Sequence, residues 1–369
     1  MLRQYQLRDF KLRLVVFVYA ITIIGILVIG SAKSEYQSQQ LIGMVLGTIV
    51  MIVLALTDFR IWMNMYWLIY IANLVLLLAV KIPGLGKEVN GARRWLDLGF
   101  MQLQPSELTK LCLILFFARF FAKHRDNLNS WKIILLSGVL LGIPLYLVKS
   151  QPDLSTTITI VFVFCVLIFA AGLSYKIIGA VAAVLIPSAV VFLNLIMQEG
   201  QQILDGYQLK RIMAWLKPAE YADDAYQQQN SIIAIGSGQL YGKGLYNNDI
   251  SSVKNGNFIV EPQTDFIFAV TGEELGFIGC AAVIILLALI AFTCLWIGKN
   301  SRDQEGMIIC CGFGGLIAFQ SLVNISVATG LMPNTGIPLP FVSYGLTSLI
   351  MLYMGIGIVL NIGLQPKKY

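Results

Sequence analysis

Long apolar runs, parted by short polar or basic links, follow one another along almost the whole of this chain. A membrane-spanning helix needs about 20 mostly apolar residues, and ten stretches follow that pattern: 14–32, 41–57, 61–80, 107–122, 133–149, 155–174, 177–198, 265–297, 306–330 and 339–363. The pattern predicts an all-α polytopic membrane protein, a single membrane domain over 1–369 with ten transmembrane helices. The eighth stretch is longer than a span requires and is expected to tilt or break, and the fourth holds Lys110 and Arg119 within its apolar run. Two connections stand apart from the short ones: 81–106, and the much longer 199–264, a large loop between helices 7 and 8. Loops of that length are usually functional or disordered, and the aromatic and aliphatic content of this one predicts order. Within it, Ser231 to Ile235 reads as one or two turns of amphipathic helix, and the glycines that follow imply tight turns or close approach to a ligand.

Composition sharpens this picture. The 369 residues are 57% hydrophobic and 12% charged, with a mean hydropathy of +0.76, where soluble domains carry about 25% charged residues. Residues 1–13 are basic, but the apolar run behind them has no small-residue cleavage site and is expected to stay as the first helix. With ten spans both termini share a side. That side collects fourteen Lys and Arg, including Arg3, Arg8, Lys367 and Lys368, against six in the short loops opposite. The positive-inside rule then puts both termini in the cytoplasm and 199–264 outside. The six cysteines lie in apolar spans without metal-ligand spacing, and the single histidine, His124, falls in a basic loop. With no Gly-rich phosphate loop or Walker motif, nothing in the chain points to a nucleotide cofactor or a nucleic-acid partner.

Charges beside or inside the spans are the candidates for chemistry, because a carboxylate at membrane depth costs roughly 2.5–3.5 kcal/mol on insertion scales. Asp265 stands where the polar loop meets the eighth span. On a helix starting near Thr264 it lies in the first turn, where the dipole favours an anion, and helix capping is the plainer reading of its position alone. Glu273 and Glu274 follow about 12–13 Å deeper at 1.5 Å per residue and point away from Asp265 on a straight helix. Both are read as structural, with one pairing to a cation from a neighbouring helix. Gln104-Pro105-Ser106-Glu107 opens the fourth span with a helix-start signature, and Glu107 and Lys110, three apart, share a face. They form either an intrahelical ion pair or a site at which Lys110 offers its charge to a phosphate. Arg93 and Arg94 beside Trp95 are interfacial anchors or anion ligands, since Arg binds phosphate bidentately. Asp153 reads as an N-cap of the sixth span and Asn324 as an interhelical hydrogen-bonder. Ser343 is a structural polar residue in the irregular, Pro- and Gly-rich stretch 336–345.

Six segments occur in order across nearly the whole chain: Arg94-Trp95-Leu96-Asp97-Leu98-Gly99, Gln104-Pro105-Ser106-Glu107, Gln151-Pro152-Asp153, Ala234-Ile-Gly-Ser-Gly238 with Gly242-Lys243-Gly244, Thr264-Asp265-Phe-Ile-Phe-Ala-Val270 with Glu273-Glu274-Leu-Gly276, and Pro338-Leu-Pro340-Phe-Val-Ser-Tyr-Gly345. Together they resemble the SEDS family of bacterial cell-wall proteins (shape, elongation, division and sporulation), which includes RodA, FtsW and SpoVE, with RodA the nearer pattern. Gly345-Leu346-Thr347 departs from the family's usual Gly-Gly-Ser, and Ser155 stands where a Gly often follows Gln-Pro-Asp-Leu. The resemblance implies the SEDS fold and a peptidoglycan glycosyltransferase that polymerises lipid II at the outer face of the cytoplasmic membrane during elongation or division. It also implies a class B penicillin-binding protein as partner. Asp265 matches the family's essential aspartate, and Glu107 with Lys110 its polar pair lining the central cavity.

The implied reaction makes demands that these residues can meet. A sugar 4-hydroxyl attacks an anomeric carbon whose leaving group is a lipid pyrophosphate, so a base and a source of positive charge are needed. Asp265 can be that base or can hold a divalent cation, Mg or Mn. Arg93, Arg94, Lys110, Lys210, Arg211 and Lys243 are the pool of phosphate ligands. Direct displacement with inversion is expected, since no second carboxylate is placed as a nucleophile. The competing readings are a lipid II flippase, which would spread charge through the membrane depth, and a non-catalytic scaffold for a transpeptidase.

Overall fold

The computed structural model describes residues 10–82, 84–89, 92–97, 99, 102–196, 206–247, 252, 256 and 258–365. Arg3, Arg8, Lys367, Lys368, Leu98 and the 199–205, 248–251 and 253–255 parts of the long loop lie outside the described residues. The helices run α1 Leu12–Ala32, α2 Ser34–Leu56, α3 Phe59–Asn64, α4 Tyr66–Ala79, α5 Pro105–Lys123, α6 Trp131–Lys149, α7 Leu154–Ala170, α8 Tyr175–Ile196, α9 Gly206–Leu216, α10 Ala222–Ser237, α11 Ile267–Lys299, α12 Gln304–Ala328 and α13 Leu346–Gly363. Among the described residues six of them, α1, α2, α6, α11, α12 and α13, are long and apolar enough to cross a membrane, and α4 and α7 are shorter apolar helices. Their outward faces are apolar as well: Leu56, Leu135, Phe277 and Phe292 are all exposed. Apolar helices with an apolar outer surface are what a bilayer requires, because a helix satisfies its own backbone in lipid.

Small residues set the helix spacing. A Cβ on Gly47 would lie 2.9 Å from the Tyr353 ring and one on Gly357 2.6 Å from Met51 O, so α2 and α13 meet almost backbone to backbone. Gly298 against Cys310 and Gly314 against the Ala291 carbonyl do the same for α11 and α12. In lipid there is little hydrophobic drive between helices, and close approach of this kind supplies the van der Waals contact that holds them. The free cysteines Cys280, Cys294 and Cys310 are buried in this packing.

Several elements differ from the hydropathy pattern. The 81–106 connection is not loop: β1 Gly86–Val89, β2 Ala92–Asp97 and β3 Gln102–Leu103 form an antiparallel sheet in the order β1-β2-β3, so the protein is not purely α. Alternation along β2 turns Arg93 and Asp97 to solvent and Leu96 inward. The third apolar run breaks at Met65 into α3 and α4. Helix α2 starts at Ser34, ahead of its apolar run, because buried Gln40 donates to Ser343 O at 3.3 Å and accepts from Gly345 N at 3.3 Å. The last helix starts at Leu346 rather than 339, leaving 336–345 irregular. In the long connection α10 spans 16 residues rather than one or two turns from Ser231. It is held by Gln228 and Ser231, which donate to Val327 O at 2.8 Å and Ala328 O at 2.8 Å on α12.

The overlong eighth span breaks, and the break is built. Gly276 sits at φ 64, ψ −163 within α11. The turn after α10 satisfies the groups this frees: Lys243 N and Gly244 N donate to the Glu273 and Glu274 carbonyls at 2.9 and 2.9 Å, and Phe277 N donates to Gln239 O at 2.8 Å. A Cβ on Gly276 would lie 2.3 Å from Gly242 N, and one on Gly238 1.9 Å from Gly272 O, so only glycines let the two backbones interlock. Irregular backbone at membrane depth is tolerated only where protein or water satisfies it in this way.

Candidate active site

The turn ahead of α11 is gripped from outside at three of its own consecutive carbonyls. Gln263 O accepts from Tyr344 N at 2.9 Å, Thr264 O from Ser343 Oγ at 2.7 Å, and Asp265 O from Asn324 Nδ2 at 2.8 Å. Helix α11 starts only at Ile267, so Asp265 stands two residues ahead of it, not in its first turn. Thr264 is not a cap either, since its hydroxyl donates to Glu261 O at 2.9 Å. The carboxylate of Asp265 is therefore aimed by a clamped loop rather than by a helix N-terminus.

Gly336, at φ 74, faces that carboxylate. A Cβ there would lie 3.3 Å from Asp265 Oδ2 and 3.7 Å from Arg211 Nη1, so the missing side chain lets a carboxylate from the α11 turn and a guanidinium from α9 approach one spot. Arg211 is tied to the same segment, donating from Nη1 to Asn334 O at 3.3 Å. Burial pushes the Asp265 carboxyl above the ordinary carboxylate range. Arg211 opposes that rise most, Arg94 adds to the opposition, and the negative charges of Glu261 and Asp153 reinforce the rise. Phe341, buried and at φ 65, lies further along the same segment, a strained conformation for a non-glycine residue.

The other candidates divide. Arg94 donates to Gln151 O at 2.9 Å and Pro152 O at 2.6 Å, which fixes it on the turn carrying Asp153. Asp153 caps α7 through Thr156 N at 3.0 Å and also accepts from Ser106 Oγ at 3.0 Å, Ser155 Oγ at 3.0 Å and Gln104 Nε2 at 3.3 Å. Arg93 turns away and pairs with Glu88 on the exposed hairpin at 3.1 Å. Lys210, next to Arg211 on α9, is exposed. Lys110 and Glu107 pair within α5 at 2.7 Å, both buried, and Lys110 lines an apolar crevice with Leu113, Phe117, Leu141 and Ile160. Lys243 pairs with Glu273 at 2.8 Å and comes from the turn after α10, not from a neighbouring helix, because the break at Gly276 admits that turn. Glu274 accepts from Ser31 of α1 at 2.6 Å. Sequence reasoning missed Gln263, Asn334 and Gly336. Only Gly336 left a signal, as a glycine opening a proline-rich run.

The fold and this site define a multi-pass helical membrane protein in which a half-buried carboxylate and an arginine approach one spot on irregular backbone, an arrangement suited to an anionic ligand. Residues 6–368 match the FtsW, RodA and SpoVE family, described as cell cycle proteins, and the chain belongs to that family. Stage V sporulation protein E of Bacillus subtilis is 33% identical over 368 residues, covering 95% of this chain and 96% of that protein. Peptidoglycan glycosyltransferase MrdB of Escherichia coli is 35% identical over 353 residues, covering 94% and 92%. Among solved structures, a chain from work on structural coordination of polymerization and crosslinking by a peptidoglycan synthase complex superimposes with a TM-score of 0.78 at 29% identity, covering 96% of this chain and 97% of that one. Rod shape determining protein RodA of Thermus thermophilus gives a TM-score of 0.68 at 27% identity, covering 98% of each chain.

Proposed function

We propose that this membrane protein is a peptidoglycan glycosyltransferase that polymerises lipid II, with Asp265 as the general base. The observation that carries the reading is the approach of Asp265 and Arg211 to one spot across Gly336. The sugar 4-hydroxyl gives its proton to the Asp265 carboxylate as its oxygen bonds to the anomeric carbon. The bond from that carbon to the lipid pyrophosphate breaks with inversion, and the departing charge is offset by Arg211 and Arg94. A carboxyl raised by burial is a stronger base than a solvated aspartate, and the nearby Arg211 opposes the rise.

Ten spans, both termini in the cytoplasm and a site on the outer face complete the topology, supported by the excess of basic residues on one side of the sequence. In the alternative role, Asp265 is the residue that would hold a divalent cation, Mg or Mn. No group of three metal-ligating side chains lies together among the described residues, and magnesium is commonly bound by one or two carboxylates plus substrate phosphates. Bound there, it would neutralise part of the diphosphate charge. A class B penicillin-binding protein is the proposed partner, in line with the similarity to a chain from a peptidoglycan synthase complex. The test gives purified protein labelled lipid II with and without divalent cation. Wild type is expected to make lysozyme-sensitive polymer and Asp265→Ala none; unimpaired polymer from Asp265→Ala overturns the assignment.

A further inference from the structure

The turn bearing Asp265 and the irregular 336–345 segment are far apart in sequence; Ser343 and Tyr344 join them directly at Thr264 and Gln263, and at Asp265 and Ile337 a side chain from a third element joins them. Asn324, on α12 and 2% exposed, donates its carboxamide Nδ2 to Asp265 O at 2.8 Å and to Ile337 O at 2.8 Å. Ile337 directly follows Gly336, the residue against which the Asp265 carboxylate and the Arg211 guanidinium both stand. We propose that Asn324 is a positioning residue for glycosyl transfer: by holding both carbonyls on one carboxamide it sets the separation of Asp265 from Arg211. The inference rests on the role given to Asp265 above.

The residue type follows from the geometry. A carboxamide presents two donors in a rigid plane, and Asn324 is buried. Leucine has the same bulk and no donor; aspartate turns acceptors toward two acceptors. Losing the bridge removes the hydrogen bonds to Asp265 O and Ile337 O while those from Tyr344 N and Ser343 Oγ remain. The displacement expected is therefore local to Asp265 and Gly336, and a shift of about 1 Å in a reacting group can cost on the order of a hundredfold in rate. Asn324 makes no contact with the side-chain oxygens of Asp265 among those described, so it acts through the backbone.

Initial rates of lipid II polymerisation over a range of substrate concentrations test this, each normalised to folded protein in detergent. Asn324→Leu is expected to lower kcat by about tenfold to a hundredfold with KM close to wild type. Gly336→Ala, which puts a methyl 3.3 Å from Asp265 Oδ2 at a position of positive φ, is expected to give the same split. A purely structural role for Asn324 would lower the melting temperature and yield while kcat per folded molecule stayed at the wild-type value, and that result overturns the inference. Should Asn324→Leu fail to fold, Asn324→Ser, whose shorter side chain cannot reach both carbonyls, decides, and wild-type kcat in it is equally fatal. Activity retained by Asp265→Ala would instead overturn the proposed function, whatever the Asn324 variants do.

Discussion

Glu107 and Asp265 are both carboxylates near the start of a long helix, and each has a cation close by, but they are built differently. Glu107 and Lys110 belong to one helix, three residues apart, and close to 2.7 Å with side chains 6% and 1% exposed. Nothing beyond helical geometry is needed to bring them together. Asp265 and Arg211 come from the α11 turn and from α9 and approach one spot at Gly336, with Asn324 and Ser343 holding the turn that carries Asp265. A closed pair at this depth has its charges mutually compensated, which suits stability. An aspartate in a clamped loop with partial access to water can accept a proton and meet a ligand. The difference separates a carboxylate closed on a partner in its own helix from one aimed by a clamped loop.

The sharpest way to break that comparison is to remove each carboxylate in turn. Asp265→Ala is expected to lose about 10²–10⁴ in polymerisation rate, the usual worth of a general base, with its melting temperature near wild type. Glu107→Ala leaves Lys110 buried and uncompensated, and should cost about 3–5 kcal/mol of stability, read as a lower melting temperature in detergent. If Glu107→Ala keeps its stability and loses its rate, Lys110 belongs to the site and the division fails.

A smaller effect distinguishes the arginines. Arg211→Ala is expected to lower kcat by about a hundredfold, as for one donor to a developing negative charge. It should also move the pH profile. The base must be ionised, so the rate falls as pH drops through the Asp265 pKa, which burial already holds above the ordinary range. Arg211 is the largest influence holding it down. Its removal raises the pKa further, and the acid limb shifts to higher pH; a shift to lower pH would contradict the charge arrangement. Smallest of all, Arg93→Ala on the exposed hairpin should change stability by about 0–1 kcal/mol and leave the rate alone. A loss of rate equal to that of Arg211→Ala would move the site toward the sheet.

Much of this was legible in the sequence. Apolar periodicity marked α1, α12 and the other long helices because lipid demands uninterrupted self-satisfied helix, and that demand is written residue by residue. Asp265 stood out by residue type against an apolar background, and the Glu107 and Lys110 spacing predicted one shared face. Hydropathy was blind where polar side chains serve tertiary contacts. It missed the start of α2, whose Gln40 is buried against the 336–345 segment, and it read the sheet at 86–103 as loop.

What the sequence by itself determined is local: which stretches can lie in a membrane, which charges are costly there, and which family the ordered motifs resemble. Only the tertiary structure decided that α11 breaks at Gly276 around the turn that follows α10, and that Lys243 is committed to Glu273 there. It alone singled out Arg211 from six candidate cations as the one that shares with Asp265 the spot at Gly336. The reason is physical: helix and span propensities depend on neighbours in the chain, whereas a glycine's role and a carboxamide's two acceptors depend on which backbones arrive from elsewhere.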